Sequence, residues 1–203
     1  MTTISSAEDN TTPFDALYKV LLIGDEGSGT RAIFDTIDDD NQFIAEAGDD
    51  YKVKFFDILD LMIKFEIWNT YRYMKSRQIP SAYFTNARGA MLVYDPTSRR
   101  EFINVRHWFS YVTHKGDQHI QVVLVAHTAR NVEGKADEKR QSNDVVSADE
   151  GRALAEELGV PFCSVREGCT EDVQGAFLQL YCAMGSELEH SRAAEAYSYC
   201  TVM

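Results

Sequence analysis

Hydrophobic and polar residues alternate along the chain in two ways, and the two patterns predict strands of two kinds. Segments 51–57 and 63–67 alternate apolar with charged side chains, which predicts half-buried strands. Segments 89–95 and 121–126 are almost continuously apolar, as expected for parallel strands covered on both faces. Only a few residues separate the first two segments. They therefore predict an antiparallel hairpin, because a parallel crossover needs a dozen residues or more.

A strand, a glycine turn and a helix follow one another near the beginning of the chain. The apolar run 18–23 leads directly into the turn 24–29, and a helical pattern starts at Thr30. A sixth strand is predicted from Pro161. Two later helical patterns each begin with a capping box, in which a serine and the glutamate three residues later bond to each other's backbone amides: Ser98 with Glu101, and Ser147 with Glu150.

The order of these elements predicts an α/β fold. It reads β, α, β, β, α, β, α, β, α, β, α, which favours a three-layer, doubly wound, six-stranded sheet, mostly parallel with one antiparallel edge strand. Ligands of such sheets bind at the carboxyl ends of the strands. The turn 24–29, which follows the first strand, is therefore the predicted ligand-binding site.

The chain divides into three parts. Residues 1–16, rich in Ser, Thr, Asp and Asn, are predicted to be a flexible leader, residues 17–186 one domain, and residues 187–203 a short tail. The charged segment 132–144 lacks periodicity and is interpreted as a surface insertion, either a docking loop or a solvated one.

Composition restricts the partners. The 203 residues suffice for one domain, and 44% are hydrophobic, which is typical of a globular protein. A net charge of −12 argues against nucleic acid as a partner, because affinity for the phosphate backbone comes mainly from Lys and Arg. No apolar run approaches the roughly 20 residues of a membrane span, and residues 1–12 lack the apolar stretch of a signal peptide. We therefore expect the body of the protein to be cytoplasmic.

The cysteines do not predict a metal site or a disulfide framework. No two of the four form a CxxC pair, and no histidine lies at zinc-site spacing from them. We expect the first three, Cys163, Cys169 and Cys182, to be buried free thiols.

Three segments in the same order and spacing resemble the Rab branch of the Ras-superfamily small GTPases. They are KVLLIGDEGSG at 19–29, KFEIWNT at 64–70 and AYFTNARGAMLVYDPTSRREFINVRHW at 82–108. The resemblance extends over roughly residues 17–186. It implies a P-loop G domain that binds GTP or GDP with Mg²⁺ and hydrolyses GTP.

The phosphate loop of that family, GxxxxGK[ST], cradles phosphate with backbone amides, a lysine and a metal-binding hydroxyl. Gly24 and Gly29 match it, but Thr30 replaces the lysine and Arg31 the hydroxyl residue. The nucleotide site that the resemblance implies is therefore degenerate. Its positions are Gly24, Asp25, Glu26, Gly27, Ser28, Gly29, Thr30, Arg31, Glu46, Asn69, Arg72, His127, Thr128 and Arg130.

The two switch regions of the family are also altered. Glu46 stands where the first switch has its threonine, and Asn69 replaces the metal-supporting aspartate of WDTAGQ. Arg72 takes the position of the glycine whose amide senses the outer phosphate, and Tyr73 that of the glutamine that orients the attacking water. No catalytic residue is thus expected.

The guanine-selecting NKxD motif is replaced in the same way. His127, Thr128 and Arg130 occupy its positions, and the donor-only guanidinium of Arg130 cannot accept hydrogen bonds from guanine. The stretch Val165, Arg166, Glu167 and Gly168 stands in the vicinity of the family's supporting SAK sequence. We therefore expect no cofactor. GTP or GDP with Mg²⁺ would be bound only if the chain is a divergent GTP-binding switch.

Two hypotheses concern Arg31. It either fills the vacated metal position and pairs with Glu46 or a nearby acid, which would plug the pocket, or it points to water.

An aromatic trio at the family's effector-binding positions is kept. Tyr51, Trp68 and Tyr83 form either an exposed surface for effector or adaptor proteins, or ordinary core.

The last four residues, Cys200-Thr201-Val202-Met203, fit a C-a-a-X prenylation signal with Cys200 as the acceptor. One prenyl group gives only reversible membrane binding, and the tail has no polybasic patch. A protein partner would then be needed for stable attachment.

The first interpretation is a lipid-anchored pseudo-GTPase that binds partner proteins without a nucleotide cycle. The alternative is a divergent GTP-binding switch with slow or absent hydrolysis. An enzyme of unrelated chemistry has little support, because the five histidines are scattered and no nucleophile lies at a suggestive spacing.

Overall fold

A computed structural model describes residues 13–37, 51–58, 60–129 and 144–185. Six strands and five helices alternate along them in the predicted order. The strands are β1 (Ala16–Gly24), β2 (Tyr51–Ile58), β3 (Leu61–Asn69), β4 (Ala87–Tyr94), β5 (Gln121–Thr128) and β6 (Phe162–Arg166). The helices are α1 (Thr30–Thr36), α2 (Ser81–Phe84), α3 (Arg99–Lys115), α4 (Ala148–Leu158) and α5 (Thr170–Gly185), and a short 3₁₀ turn covers Tyr71–Tyr73.

The strands form one sheet in the order β2-β3-β1-β4-β5-β6. All neighbouring pairs are parallel except β2 and β3, which form an antiparallel hairpin that places β2 at the edge. Ile58 pairs with Leu61 at the tight end of this hairpin, where Asp60 adopts a positive φ of 62°. The doubly wound sheet with one antiparallel edge strand is thus confirmed.

Each face of the sheet carries its own core, because successive side chains of a strand point to opposite faces. Val20 and Leu22 of β1 pack toward α1 and α5, together with the fully buried Phe177. Leu21 and Ile23 pack in the core of the opposite face, with Trp108 of α3. Burying one such side chain stabilises the fold by about 1.5–3 kcal/mol. These two cores fix β1 at the centre, and the loop that follows it is positioned rigidly.

Two sequence-based expectations need correction. Strand β1 begins at Ala16, inside the predicted leader, and the Asp15 backbone amide already donates to Met62 O at 2.8 Å. Cys182 is buried as expected, whereas Cys163 and Cys169 are only half-buried. The segment 132–144 and the tail 187–203 lie outside the described residues, apart from Asp144.

The two predicted capping boxes have different outcomes. At α4 the box is complete, since the Ser147 side chain accepts from the Glu150 amide and the Glu150 carboxylate accepts from the Ser147 amide. At α3 the Ser98 hydroxyl accepts from the Glu101 amide at 3.4 Å. The Glu101 carboxylate, however, accepts from the backbone amide of Asp95, so this box is only half formed.

Within the described residues, no helix is long and apolar enough to cross a membrane.

Replacing Ser147 with alanine should lower the free energy of unfolding by about 1 kcal/mol, because the first turn of α4 loses its side-chain acceptor. Chemical denaturation measures the loss. The exposed Ser110 in the interior of α3 is the matched control, since alanine is a good helix former there and should leave stability unchanged or slightly raised. Equal losses in both variants would contradict the cap.

Candidate functional site

The turn 24–29 joins the carboxyl end of β1 to the first residue of α1, at the edge of the sheet where ligands of such folds bind. Its glycines are required by geometry. Gly27 and Gly29 both adopt φ of 97°, and a side chain at Gly24 would come within 2.3 Å of Val93 O. Ser28 is fully buried, and its hydroxyl has no hydrogen-bond partner among the described residues. The sequence therefore keeps the shape of a phosphate loop.

Asp25 ties this loop to α3. Its carboxylate accepts from Trp108 Nε1 at 2.8 Å and from Asn104 Nδ2 at 2.5 Å. Arg77 Nη2 lies 3.7 Å from the same carboxylate. The Asp25 side chain is only 11% exposed, so these neighbours hold its charge in a largely buried setting.

Contacts from the segment after β3 reach the loop and the start of α1. The hydroxyl of Thr30, at the position of the family's lysine, lies 3.8 Å from the sulfur of Met74, and both residues are buried. On the surface, Lys75 Nζ pairs with Glu26 at 3.0 Å, and this hydrogen bond raises the pKa of Lys75. Thr30 is thus used in packing against the protein itself.

Arg31 lies on the exposed surface of α1. Its Nε is 2.9 Å from Asp35 Oδ1, one helical turn later, and its side chain is 58% exposed. Arg31 is therefore paired within α1 and largely exposed. Glu46, the other partner considered for it, lies outside the described residues.

The residues after β3 bond locally. Asn69, at the position of the metal-supporting aspartate, is buried, and its side-chain oxygen accepts from the Tyr71 amide at 3.0 Å. The Thr70 hydroxyl donates to Leu22 O at 2.8 Å, which fastens the end of β3 to β1. Arg72 is exposed. The Asn69 side chain therefore starts the 3₁₀ turn that follows it.

His127, at the first position of the guanine-selecting motif, packs directly on the glycine turn. A Cβ at Gly29 would lie 2.1 Å from its Nδ1, so only glycine fits opposite this ring. His127 is 5% exposed, and burial lowers its pKa although Glu167 and Asp95 act in the opposite direction. Its Nε2 has no hydrogen-bond partner among the described residues. The imidazole is therefore held neutral against the loop.

A two-point ion pair between Arg166 and Asp172 closes the loop that follows β6. Arg166 bonds Asp172 through Nε at 2.7 Å and through Nη2 at 3.0 Å, while its backbone amide donates to the same carboxylate. The Glu167 amide donates to Thr128 O at 2.9 Å, so this loop is fixed to the end of β5. Thr128 is half-buried there, and Arg130 lies outside the described residues.

Three aromatic rings from β2, β3 and α2 lie side by side. Tyr51 stacks on Trp68 with centroids 4.8 Å apart, and Trp68 meets Tyr83 edge-on at 5.1 Å. The structure thus brings the predicted trio together. Of the two alternatives, ordinary core describes Tyr83, which is only 5% exposed, whereas Tyr51 and Trp68 are half-buried. The ring of Tyr73 extends the series, 5.4 Å from that of Tyr83. We call these four rings the aromatic surface.

Lys19 supports this surface and was missed in the sequence. Its Nζ lies 4.1 Å from the ring centre of Trp68 and donates to Ala82 O and Thr85 O at 2.8 and 3.1 Å. Desolvation lowers its pKa, partly offset by Glu66. The register of β1 on β3 pairs Lys19 with Glu66, two residues from Trp68, and no short sequence pattern indicates this pairing.

A groove of about 460 Å³ opens beside Lys19. Its lining residues are Leu17, Lys19, Glu66, Ala82, Thr85 and Asn86.

Across the described part of the chain, no three His, Cys, Asp or Glu side chains are grouped so that they could hold a metal ion.

The sheet, the glycine turn after β1 and the flanking helices define a P-loop G domain. Residues 19–185 match the sequence pattern of the Ras family. The chain is 34% identical over 181 residues to the Ras-related protein SEC4 of Saccharomyces cerevisiae, covering 88% of this chain and 80% of that protein. It is 33% identical to the GTP-binding protein ypt2 of Schizosaccharomyces pombe, covering 84% and 82%. It is also 33% identical to the Ras-related protein RABD1 of Arabidopsis thaliana, covering 82% and 78%. The chain therefore belongs to the Ras family, and it is Rab-like.

Replacing Gly29 with alanine should lower the free energy of unfolding by more than about 2 kcal/mol, because strain at φ 97° adds to the clash with His127. Denaturation of Gly29→Ala, His127→Ala and the double variant separates the two causes. The loss should shrink in the His127→Ala background. Gly159→Ala is the matched control, since φ there is also positive but no atom lies within 4 Å. Additive losses would contradict the contact.

Stability should fall on mild acidification through His127. Its folded pKa is lowered, so the unfolded chain binds more protons as pH falls through the ordinary histidine value of about 6.5. The contribution is fully present above that value and is lost below it. Urea midpoints between about pH 8 and pH 5 should therefore drop less in His127→Gln than in the wild type. His107→Gln, on the exposed face of α3, should follow the wild-type curve. Parallel curves for His127→Gln and the wild type would refute this role.

Proposed function

We propose that this Rab-like protein is a pseudo-GTPase that binds partner proteins at a membrane without a nucleotide cycle. Effector or adaptor proteins bind the face on which Tyr51 and Trp68 are half-buried, with the buried Tyr83 packed against Trp68, and the setting is vesicle traffic or signalling. Attachment to the cytoplasmic face of a membrane is by a prenyl group on Cys200, which lies outside the described residues. The end of the domain at residue 186 and the tail 187–203 belong to the same proposal.

One observation carries this proposal: side chains at the family's nucleotide-binding positions contact the protein itself. Thr30 contacts Met74, Asn69 bonds the Tyr71 amide, and His127 packs on Gly29. The described donors offer no ammonium at position 30 and no hydroxyl at position 31, so they do not fit a Mg²⁺-bound nucleotide as the family's motif holds it.

Magnitudes support weak or absent nucleotide binding. A hydrogen bond to a charged group contributes about 1.5–3 kcal/mol, so the four replacements at Thr30, Arg31, Asn69 and Arg130 remove about 6–12 kcal/mol. That is a factor of about 10⁴ to 10⁸ in affinity. The backbone amides of the glycine turn still favour an anion, but amides alone do not select guanine.

The second candidate function is a divergent GTP-binding switch with slow or absent hydrolysis. The intact glycine turn favours it, together with the similarity to ypt2, which is a GTP-binding protein. In that case the cofactors would be GTP or GDP with Mg²⁺, and Arg31 and Arg130 would have to provide new contacts.

The nucleotide content of the purified protein separates the two functions. After denaturation, chromatography of the released small molecules should find guanine nucleotide on fewer than about one chain in ten. Fluorescent GDP and GTP should show no sub-micromolar binding, with or without Mg²⁺. The relative ypt2, prepared in the same way, is the positive control. Nucleotide near one per chain would refute the pseudo-GTPase and favour the switch.

A further inference from the structure

The segment 71–77 faces two parts of the molecule at once. The ring of Tyr73 meets Tyr83 in the aromatic surface, with centroids 5.4 Å apart. The next residue, Met74, is buried and lies against the Thr30 hydroxyl at the start of α1. Any displacement of this segment from the glycine turn would therefore also move a ring of the aromatic surface.

Asp25 is the centre of the contact on the loop side. Trp108 and Asn104 of α3 hold its two carboxylate oxygens in place, so its position does not depend on the segment. Arg77 then approaches to 3.7 Å, which is an ion pair and too long for a directional hydrogen bond. A largely buried carboxylate attracts such a cation more strongly than an exposed one does.

Arg77 holds a conformation that its backbone does not favour. Its φ of 53° is uncommon for a residue other than glycine. Its amide donates to Tyr73 O at 2.8 Å, and its guanidinium lies over the ring of Trp108 at 5.8 Å. The surrounding structure therefore holds Arg77 in an uncommon backbone state, with this hydrogen bond and this ring contact around it.

The second ion pair is weaker. Lys75 and Glu26 pair at 3.0 Å, but their side chains are 77% and 48% exposed, so water and salt screen the attraction. The pair of Arg77 with Asp25 is longer, but water screens it less because Asp25 is only 11% exposed.

We propose that Asp25 is a positioning residue for the aromatic surface. Through Arg77 it clamps residues 71–77 against the glycine turn in one conformation, without any ligand. The clamp itself follows from these contacts, whereas its consequence for partner binding rests on the proposed function. A face held in this way is ready for its partner at all times.

Hydrogen exchange of the full chain tests the clamp. The amides of Met74 and Arg77 donate to carbonyls within the segment, and that of Tyr73 donates to Thr70 O just before it, so all three report its opening. Asp25→Asn and Arg77→Asn should each speed exchange of peptides covering 71–77 by about fivefold or more. Asparagine tolerates the positive φ at position 77, so this variant adds no backbone strain. Arg77→Lys should keep most of the protection, because a charge at this distance replaces a charge.

Peptides covering 121–128 in the central strand β5 are the internal reference and should not change. Arg106→Gln, which breaks the exposed pair with Glu157, is the matched control and should leave 71–77 protected. Unchanged exchange in both Asp25→Asn and Arg77→Asn would overturn the clamp. So would faster exchange of β5 in Arg77→Asn, because the role would then be general stability. If Asp25→Asn fails to fold, the exchange of peptides covering 71–77 in Arg77→Asn alone tests the clamp. Nucleotide content measured on the same samples tests the proposed function separately.

Discussion

The attachment of the glycine turn to α3 through Asp25 is the constraint on which the rest of the site depends. A turn with three glycines has high conformational entropy when free, and its backbone amides have few intrinsic partners. Here the carboxylate of Asp25 accepts from Trp108, which is itself fixed in the core between the sheet and α3. The hydrogen bonds from Trp108 and Asn104 to Asp25 thus attach the loop to the core and help to maintain its shape.

A loop built in this way shows why the fold survives changed chemistry. The strands and their two cores place the turn, and the glycines give it its curvature, whatever residues stand at positions 30 and 31. The side chains at those positions then settle according to local opportunity. Thr30 is buried against Met74, whereas Arg31 is solvated and pairs with Asp35. Shape and charge are therefore separate properties of this site, and only the shape is specified by the sheet.

Much of the fold was predictable because it depends on local patterns. Continuous apolar runs identified β4 and β5, alternation identified the β2–β3 hairpin, and the paired motif at Ser147 and Glu150 marked the start of α4. At the site, only the glycine turn after β1 was predictable, because its shape depends on local backbone geometry. Side-chain partners distant in sequence could not be inferred. Glu101 turned to the Asp95 amide instead of closing its capping box, and Tyr83 is buried beneath its neighbours. Both outcomes depend on packing between elements, which no short pattern encodes.

The aromatic surface depends both on strand register and on packing between elements that are distant in sequence. Tyr51 and Trp68 are placed by the register of the edge hairpin, so their stacking follows from the sheet alone. Tyr73 and Tyr83 come from a connection between β3 and β4 that has little regular structure, and their place depends on contacts with the rest of the domain. Here Lys19 anchors α2 from the sheet, and the glycine turn holds the segment before α2. The geometry that joins the two halves is therefore provided by the chain itself.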